Sequence, residues 1–389
     1  RVNIVTVTPS PAGPELTSIS TSGVVRFKPA TPKDDLAQFE GSLWTEFHMA
    51  WASDARWVAT HTRPEEATDK HAGLEVFQLP SQRRVAGGPG TALADLDLDP
   101  IAPGLAFTPD GKYLLGRSSN DELIVLSTPD FAVRRRIPLP VPTQVGSLRA
   151  GQKWSLSIIP LGTDEVAVLY AGAVTRWRIS SGEQTAEILP LHADPTRLRD
   201  DALRAMAGGR PDQPGQIFVA TPDGAELWDL NDRRAIRSFI PEPNVRMAGV
   251  NFSSSIISVH TSTAQLALWN PDRGGAARTT IPLPNNLEVV DFAPGGIIVV
   301  KSLDGGLQFW DISLGRSIAQ LKPPGLTTAW RMAGDTLIGL SQDGQLSIDL
   351  NRNHWLPSLC AANDRDYTPA ERKLLQEGAE TTPPCHIND

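Results

Sequence analysis

A short word of alternating apolar residues recurs along the whole chain. It reads AELWDL around Trp228, LALWNP around Trp269 and LQFWDI around Trp310, 41 residues apart each time. Upstream, VTRWRI at Trp177 lies 51 before Trp228, LIVLST at Leu126 lies 51 before that, LEVFQL at Phe77 lies 49 earlier and VVRFKP at Phe27 lies 50 earlier. Downstream, LSIDL places Ile348 38 residues after Trp310, so one word is written eight times. A period of this size marks a repeat architecture, in which each copy buries its apolar face only against its neighbours.

Each word has companions. A tight turn precedes it: SLDGG at 302–306, ATPDG at 220–224, SQDG at 341–344. Asp-Gly between two apolar runs signals a hairpin, because Gly accepts the positive φ of such turns. Further back stands another strand with its own turn, as in LAFTPDGKYLLGRS at 105–118 and MAWASDARWVATHT at 49–62. After the word comes a fourth run, such as AIRSFI, SIAQLK or RRRIPL. Gly (32) and Pro (33) are plentiful and dispersed, which suits many short strands joined by turns. Four strands in every 40–50 residues, without a long helical pattern, describe the blades of an all-β propeller.

The words resemble those of the WD-repeat β-propeller family. The Trp-Asp signature is literal at Trp228–Asp229 and Trp310–Asp311, and Trp177 and Trp269 hold the equivalent aromatic position. The family's Gly-His pair is missing throughout, so packing inside each blade is expected to lean on apolar contacts. The first word, at 24–29, shows no clear pair of strands ahead of it, and the last, at 346–350, no clear fourth strand after it. This predicts seven four-stranded blades over 1–350, with a strand from about 20–40 closing the blade built from 327–350.

Cys360 and Cys385 are the only cysteines, and the residues alone leave open a disulfide or two free thiols. A disulfide would favour an extracytoplasmic location, and free thiols the cytoplasm. The segment HWLPSLCAANDRDYTPAERKLLQEGAETTPPC resembles the tails of bacterial WD-repeat proteins attached to signal-transduction NTPase or kinase modules. That resemblance implies a tail over 351–389 carrying a short helix at 369–377, with Thr368 as N-cap and Pro369 at the first helical position, held by a Cys360–Cys385 bond. The chain opens on Arg1 without an initiator Met or a signal-like segment, which suggests a piece of a longer protein or a mature chain after processing.

Motifs for chemistry are sparse. There is no Gly-x-Ser-x-Gly elbow, no His-Glu-x-x-His and no phosphate loop. GGPGTA at 87–92 reads as a linker between blades. The seven histidines are scattered, and surface or turn positions are expected for them, so no metal ligand and no cofactor is assigned. Asp95, Asp97 and Asp99 have the alternation of a calcium loop, but Pro100 and Ala106 stand where that loop needs Gly and an acid; on a strand the three share one face. The segment 194–209 reads as a helical insertion or, preferably, as a loop leading into a first strand. Trp154 and Trp330 lie near the starts of first strands, where aromatics can anchor a partner.

The net charge of −8 argues against a nucleic-acid binder, and no apolar run has the length of a membrane helix. These observations favour a non-catalytic module, monomeric in isolation, that binds a protein or peptide partner or senses a ligand within a bacterial signalling protein. A propeller enzyme with a channel-mouth site and a purely structural scaffold are the alternatives.

Overall fold

The computed structural model describes residues 4–10, 13–20, 23–29, 49–62, 73–79, 81, 83–99, 104–139, 156–170, 173–188, 206–210, 213–221, 224–239, 247–252, 257–261, 265–270, 272, 279–282, 287–293, 296–302, 306–321, 327–341 and 344–350. Three strands come first: β1 (Ile4–Ser10), β2 (Gly13–Ser20) and β3 (Gly23–Pro29). Four-stranded antiparallel meanders follow. The first is β4 (Met49–Trp51), β5 (Trp57–Thr62), β6 (Gly73–Gln78) and β7 (Arg83–Gly87). The second is β8 (Ala106–Phe107), β9 (Tyr113–Arg117), β10 (Glu122–Ser127) and β11 (Val133–Pro138). The third is β12 (Leu156–Pro160), β13 (Glu165–Tyr170), β14 (Ala173–Arg178) and β15 (Gln184–Ile188). The fourth is β16 (Met206–Gly209), β17 (Gln216–Thr221), β18 (Gly224–Asp229) and β19 (Arg234–Phe239). The fifth is β20 (Met247–Phe252), β21 (Ile257–Thr261), β22 (Gln265–Trp269) and β23 (Thr279–Pro282). The sixth is β24 (Leu287–Ala293), β25 (Ile297–Ser302), β26 (Leu307–Asp311) and β27 (Arg316–Leu321). β28 (Thr327–Ala333), β29 (Thr336–Ser341) and β30 (Gly344–Asp349) end the described chain.

Six sheets therefore have four strands, and one has six, in the order β1-β2-β3-β30-β29-β28. This corrects the expectation of seven four-stranded blades. β3 pairs antiparallel with β30, with Val25 opposite Ile348 and Phe27 opposite Leu346. The pair of strands that the sequence failed to show ahead of the first word is present as β1 and β2. Pro9, Pro11, Pro14 and the many Ser and Thr of 4–20 break the apolar alternation by which strands are recognised. The segment at 194–209 ends, as the preferred reading has it, in a first strand, β16.

The chain divides into two compact units: 33–289 with 312–316, and 1–32 with 290–311 and 317–389. In the first unit the first strands of successive sheets lie side by side, β4 by β8, β8 by β12, β12 by β16 and β16 by β20. Apolar layers fill the spaces between these sheets. Leu74, Val76, Leu114, Ile124 and Leu126 share one layer; Leu115, Leu123, Val125, Val166, Val168 and Trp177 the next; Ala167, Leu169, Val174, Ile217 and Val219 a third. Successive residues of one strand thus serve opposite layers, as period-2 geometry dictates. In the second unit Val299, Leu307, Phe309, Trp330, Leu337, Leu346 and Ile348 form one core.

Local geometry repeats with the sequence. Between third and fourth strands the register shifts at Val76/Phe77, Val125/Leu126, Arg176/Trp177 and Leu227/Trp228, so four sheets carry a bulge just before the word's marked residue. Five residues beyond the marked residue the backbone turns left-handed, at Phe131, Gly182, Arg233 and Gly315. Side-chain caps tie these turns: the Asp229 carboxylate accepts from the amides of Asn231 and Asp232. Arginines then reach between sheets of the first unit, Arg135 to the Ser180 and Ser181 carbonyls and Arg176 to Asn231.

No helix is found among the described residues, hence none long and apolar enough to cross a membrane. The helix expected at 369–377, the tail at 351–389 and the Cys360–Cys385 pair lie outside the described residues.

Candidate functional site

In an antiparallel meander the second-to-third-strand turn and the connection to the next sheet emerge at the same end. In the first unit this end receives the connections 63–72, 88–105, 139–155 and 189–205. The opposite end holds short turns such as 52–56, 108–112, 128–132, 179–183 and 230–233. Long connections are therefore concentrated on one end of consecutive sheets, an arrangement in which loops can carry recognition while strands carry stability.

The described part of this end is organised by Arg117, the last residue of β9. The residue is buried, 5% exposed. The guanidinium meets Asp99 at 3.3 Å and Asp121 at 2.5 Å, and lies 4.8 Å from the centroid of the Tyr170 ring at the end of β13. Burial pushes the Tyr170 hydroxyl up to about 12, helped by the hydrogen bond it donates to Asp121 and opposed by the Arg117 charge. Backbone bonds add to the grip: the Asp99 amide donates to the Arg117 carbonyl at 2.9 Å and the Ser119 amide to the Asp97 carbonyl at 3.1 Å. Leu98 bridges Ser118, so 97–99 runs beside the exit of β9 as a detached piece of first strand. The cluster thus pins a long connection, the β9–β10 turn and the next sheet to one another.

The three aspartates of 95–99 do not act as a set. Residues 92–95 form a turn, so strand alternation does not run through them. Asp97 is exposed and accepts from Ser119 Oγ at 2.5 Å and Asn120 Nδ2 at 2.8 Å, whereas Asp99 is buried against Arg117. Among the described residues no three His, Cys, Asp or Glu are grouped to hold a metal.

The aromatic anchors expected from sequence fare differently. Trp154 lies outside the described residues, two positions before β12 and within the long connection 139–155. Trp330 is a core residue, 8% exposed, with its ring against Gly339, where an added Cβ would stand 2.4 Å from the ring. It offers a partner no face, which corrects its assignment as an anchor. It lies near the start of a first strand, as expected, but in this sheet that position points into the core.

The repeat tryptophans are structural. Trp177 donates from Nε1 to Thr175 Oγ1 at 2.8 Å, Trp228 to Glu226 Oε2 at 2.9 Å and Trp310 to Gln308 Oε1 at 3.0 Å. The acceptor is always two residues back, on the same strand face. Trp269 is buried too, but Ala267 provides no such acceptor. Beside the apolar contacts on which the blades lean, a polar residue at this position satisfies the indole locally. Among the histidines, His61 departs from the expected surface or turn placement. It is buried in β5 between Thr60 and Thr62, both also buried.

Sequence reasoning missed Arg117, Asp121 and Tyr170. Arg117 and Asp121 lie four residues apart in one repeat and Tyr170 in the next, and nothing local marks a contact across 53 residues of chain. The one visible sign is an Arg closing the apolar run YLLGR.

The sequence matches no protein-family description and no curated protein. Many solved chains match the structure, 1675 in all, so the architecture is a recurrent one. One is a chain in the crystal structure of the mitotic checkpoint complex, with a TM-score of 0.54 and 13% identity over 85% of this chain and 92% of that one. At that identity the likeness concerns the fold alone: the chain is an all-β propeller.

Proposed function

We propose that this chain is a non-catalytic binding module that takes a protein or peptide partner, or senses a ligand, at the end of its sheets where the long connections emerge. The observation that carries this reading is the asymmetry of the two ends, with the buried Arg117 cluster fixing one long connection in place. A rigid base under long loops limits the ordering cost of association. The resemblance of 351–385 to bacterial signalling tails supports a place in a larger signalling protein. With it goes a Cys360–Cys385 bond, expected to leave no reactive thiol in denatured, unreduced protein; two free thiols would remove that element.

Partner capture tests the site. Asp95→Arg, at an exposed position of the long-connection end, and Trp154→Ala should each weaken capture about tenfold, about 1.4 kcal/mol. Asp232→Lys, in a short turn at the other end, should leave it unchanged. Equal losses from both ends, or from neither, would refute the placement.

A further inference from the structure

The edge of the six-stranded sheet is built differently from the other outer edges. Its outermost strand is β1, and among the described residues no strand lies beyond it. Most of the outermost strands of the four-stranded sheets carry charge: Arg83 and Arg84 on β7, Arg134, Arg135 and Arg136 on β11, Glu187 on β15, Arg234 and Arg237 on β19, Arg316 on β27. Charged residues on an edge oppose strand addition. β23 is uncharged but has only four residues and ends on Pro282. β1 has seven residues, IVTVTPS, and no charge.

The register shows which backbone groups of β1 are free. Pro9 lies opposite Pro14. Neither has an N–H, so theirs is a non-hydrogen-bonded pair of the antiparallel ladder. Such pairs alternate, so Val7 opposite Leu16 and Val5 opposite Ser18 are of the same kind. The N–H and C=O groups of Val5 and Val7 therefore point away from β2, along the open edge.

We propose that a second copy of this chain pairs on that edge, β1 against β1, antiparallel across a two-fold axis. The segment is its own antiparallel complement. Centred on Thr6, the pairing sets Val5 of one copy opposite Val7 of the other, and both residues exchange their outward N–H and C=O groups. Thr6 falls opposite Thr6 and Ile4 opposite Thr8, which are favourable cross-strand pairs of β-branched residues. No charge meets a like charge, although each copy carries a net −8. Pro9, with no N–H, ends the ladder, so the edge fits a short self-pairing strand better than a long foreign one. An isologous interface needs this self-complementarity, and the Val-Thr-Val centre supplies it. The monomer expected from sequence alone is replaced by a dimer joined through one continuous sheet. This inference stands apart from the partner site proposed above and survives or fails independently of it.

Sedimentation velocity on the 389-residue chain over a wide concentration range is the test. The native chain should dimerise. Val7→Pro removes an outward N–H without touching the β1–β2 ladder, and should raise the dimer dissociation constant at least about tenfold while the melting temperature stays the same. Thr6→Glu and Thr6→Lys should each be monomeric alone and should form a heterodimer when mixed, because the two-fold register places residue 6 against itself. A native chain that stays monomeric at every concentration overturns the proposal. So does a dimer that is indifferent to Val7→Pro and shows no preference in the charge swap.

Discussion

Tryptophan is used in two ways in this protein, and substitution separates them. Trp177 depends on Thr175, which is buried with it, so Thr175→Val keeps the shape and removes the acceptor of the indole N–H. Loss of about 1–3 kcal/mol is expected in urea unfolding, the cost of an unsatisfied buried donor. Trp330 fills volume, and its Nε1 is buried without a hydrogen-bond partner. Trp330→Ala should cost about 3–5 kcal/mol, whereas Trp330→Phe, which removes the orphan donor, should cost clearly less; equal losses would contradict this account. Gly315 has φ of 61° with open space around its Cα, so Gly315→Ala isolates the backbone term, about 1 kcal/mol. Tyr170 gives a pH signature. Its hydroxyl ionises near 10 in the unfolded chain and about 12 when folded, so the neutral form is favoured by the native state. That stabilisation is complete below pH 10 and is lost as pH rises from 10 through 12. Ultraviolet titration should find a late tyrosine ionisation, and Tyr170→Phe should abolish that step.

At the scale of elements, the N-terminal strands have separable roles. β3 occupies the edge of β30 along its whole length, from Val24 opposite Asp349 to Pro29 opposite Gly344. β1 and β2 only prolong the sheet beyond it. Removing residues 1–22 should leave the melting temperature close to that of the full chain. Removing 1–30 should bare β30, with aggregation or a large fall in melting temperature as the result. If both truncations behave alike, β3 is not the strand that completes this sheet. The third-strand word is the element most legible in sequence, because its apolar alternation is a local property. Its bulge and its left-handed turn recur as well, yet Phe131 and Arg233 hold the turn where Gly182 and Gly315 do elsewhere, so composition alone does not mark it.

At the scale of the molecule, Arg117 joins three segments far apart in the chain. Arg117→Ala would take the buried guanidinium away from Asp99 and Asp121 and free the Tyr170 ring of its contact. A loss of about 1.5–3 kcal/mol is expected, the size of a hydrogen bond to a charged group. Proteolysis within 88–105 should quicken in the same variant before global unfolding sets in; if the connection stays as resistant as in the native chain, the cluster does not hold it. The candidate site shares this long-range character. That long connections gather at one end follows from strand order, which could be read from the spacing of the words. The groups that fix that end could not be read, because an ion pair depends on sheet stacking rather than on neighbours in sequence.

The sequence by itself determined the repeat, the strand that each word forms, the turns between them and the pairing of an N-terminal word with the last one. These follow from period-2 alternation and from turn residues, which act within a few positions. Tertiary structure alone decided that Trp330 is core and not anchor, because which face of a first strand is covered depends on the sheet beside it. It decided that the last sheet has six strands, because Pro- and Ser/Thr-rich segments become strands only when an existing edge offers its hydrogen bonds. It also decided that Arg117, Asp99, Asp121 and Tyr170 form one cluster, since charges are brought out of water together only where packing closes over them.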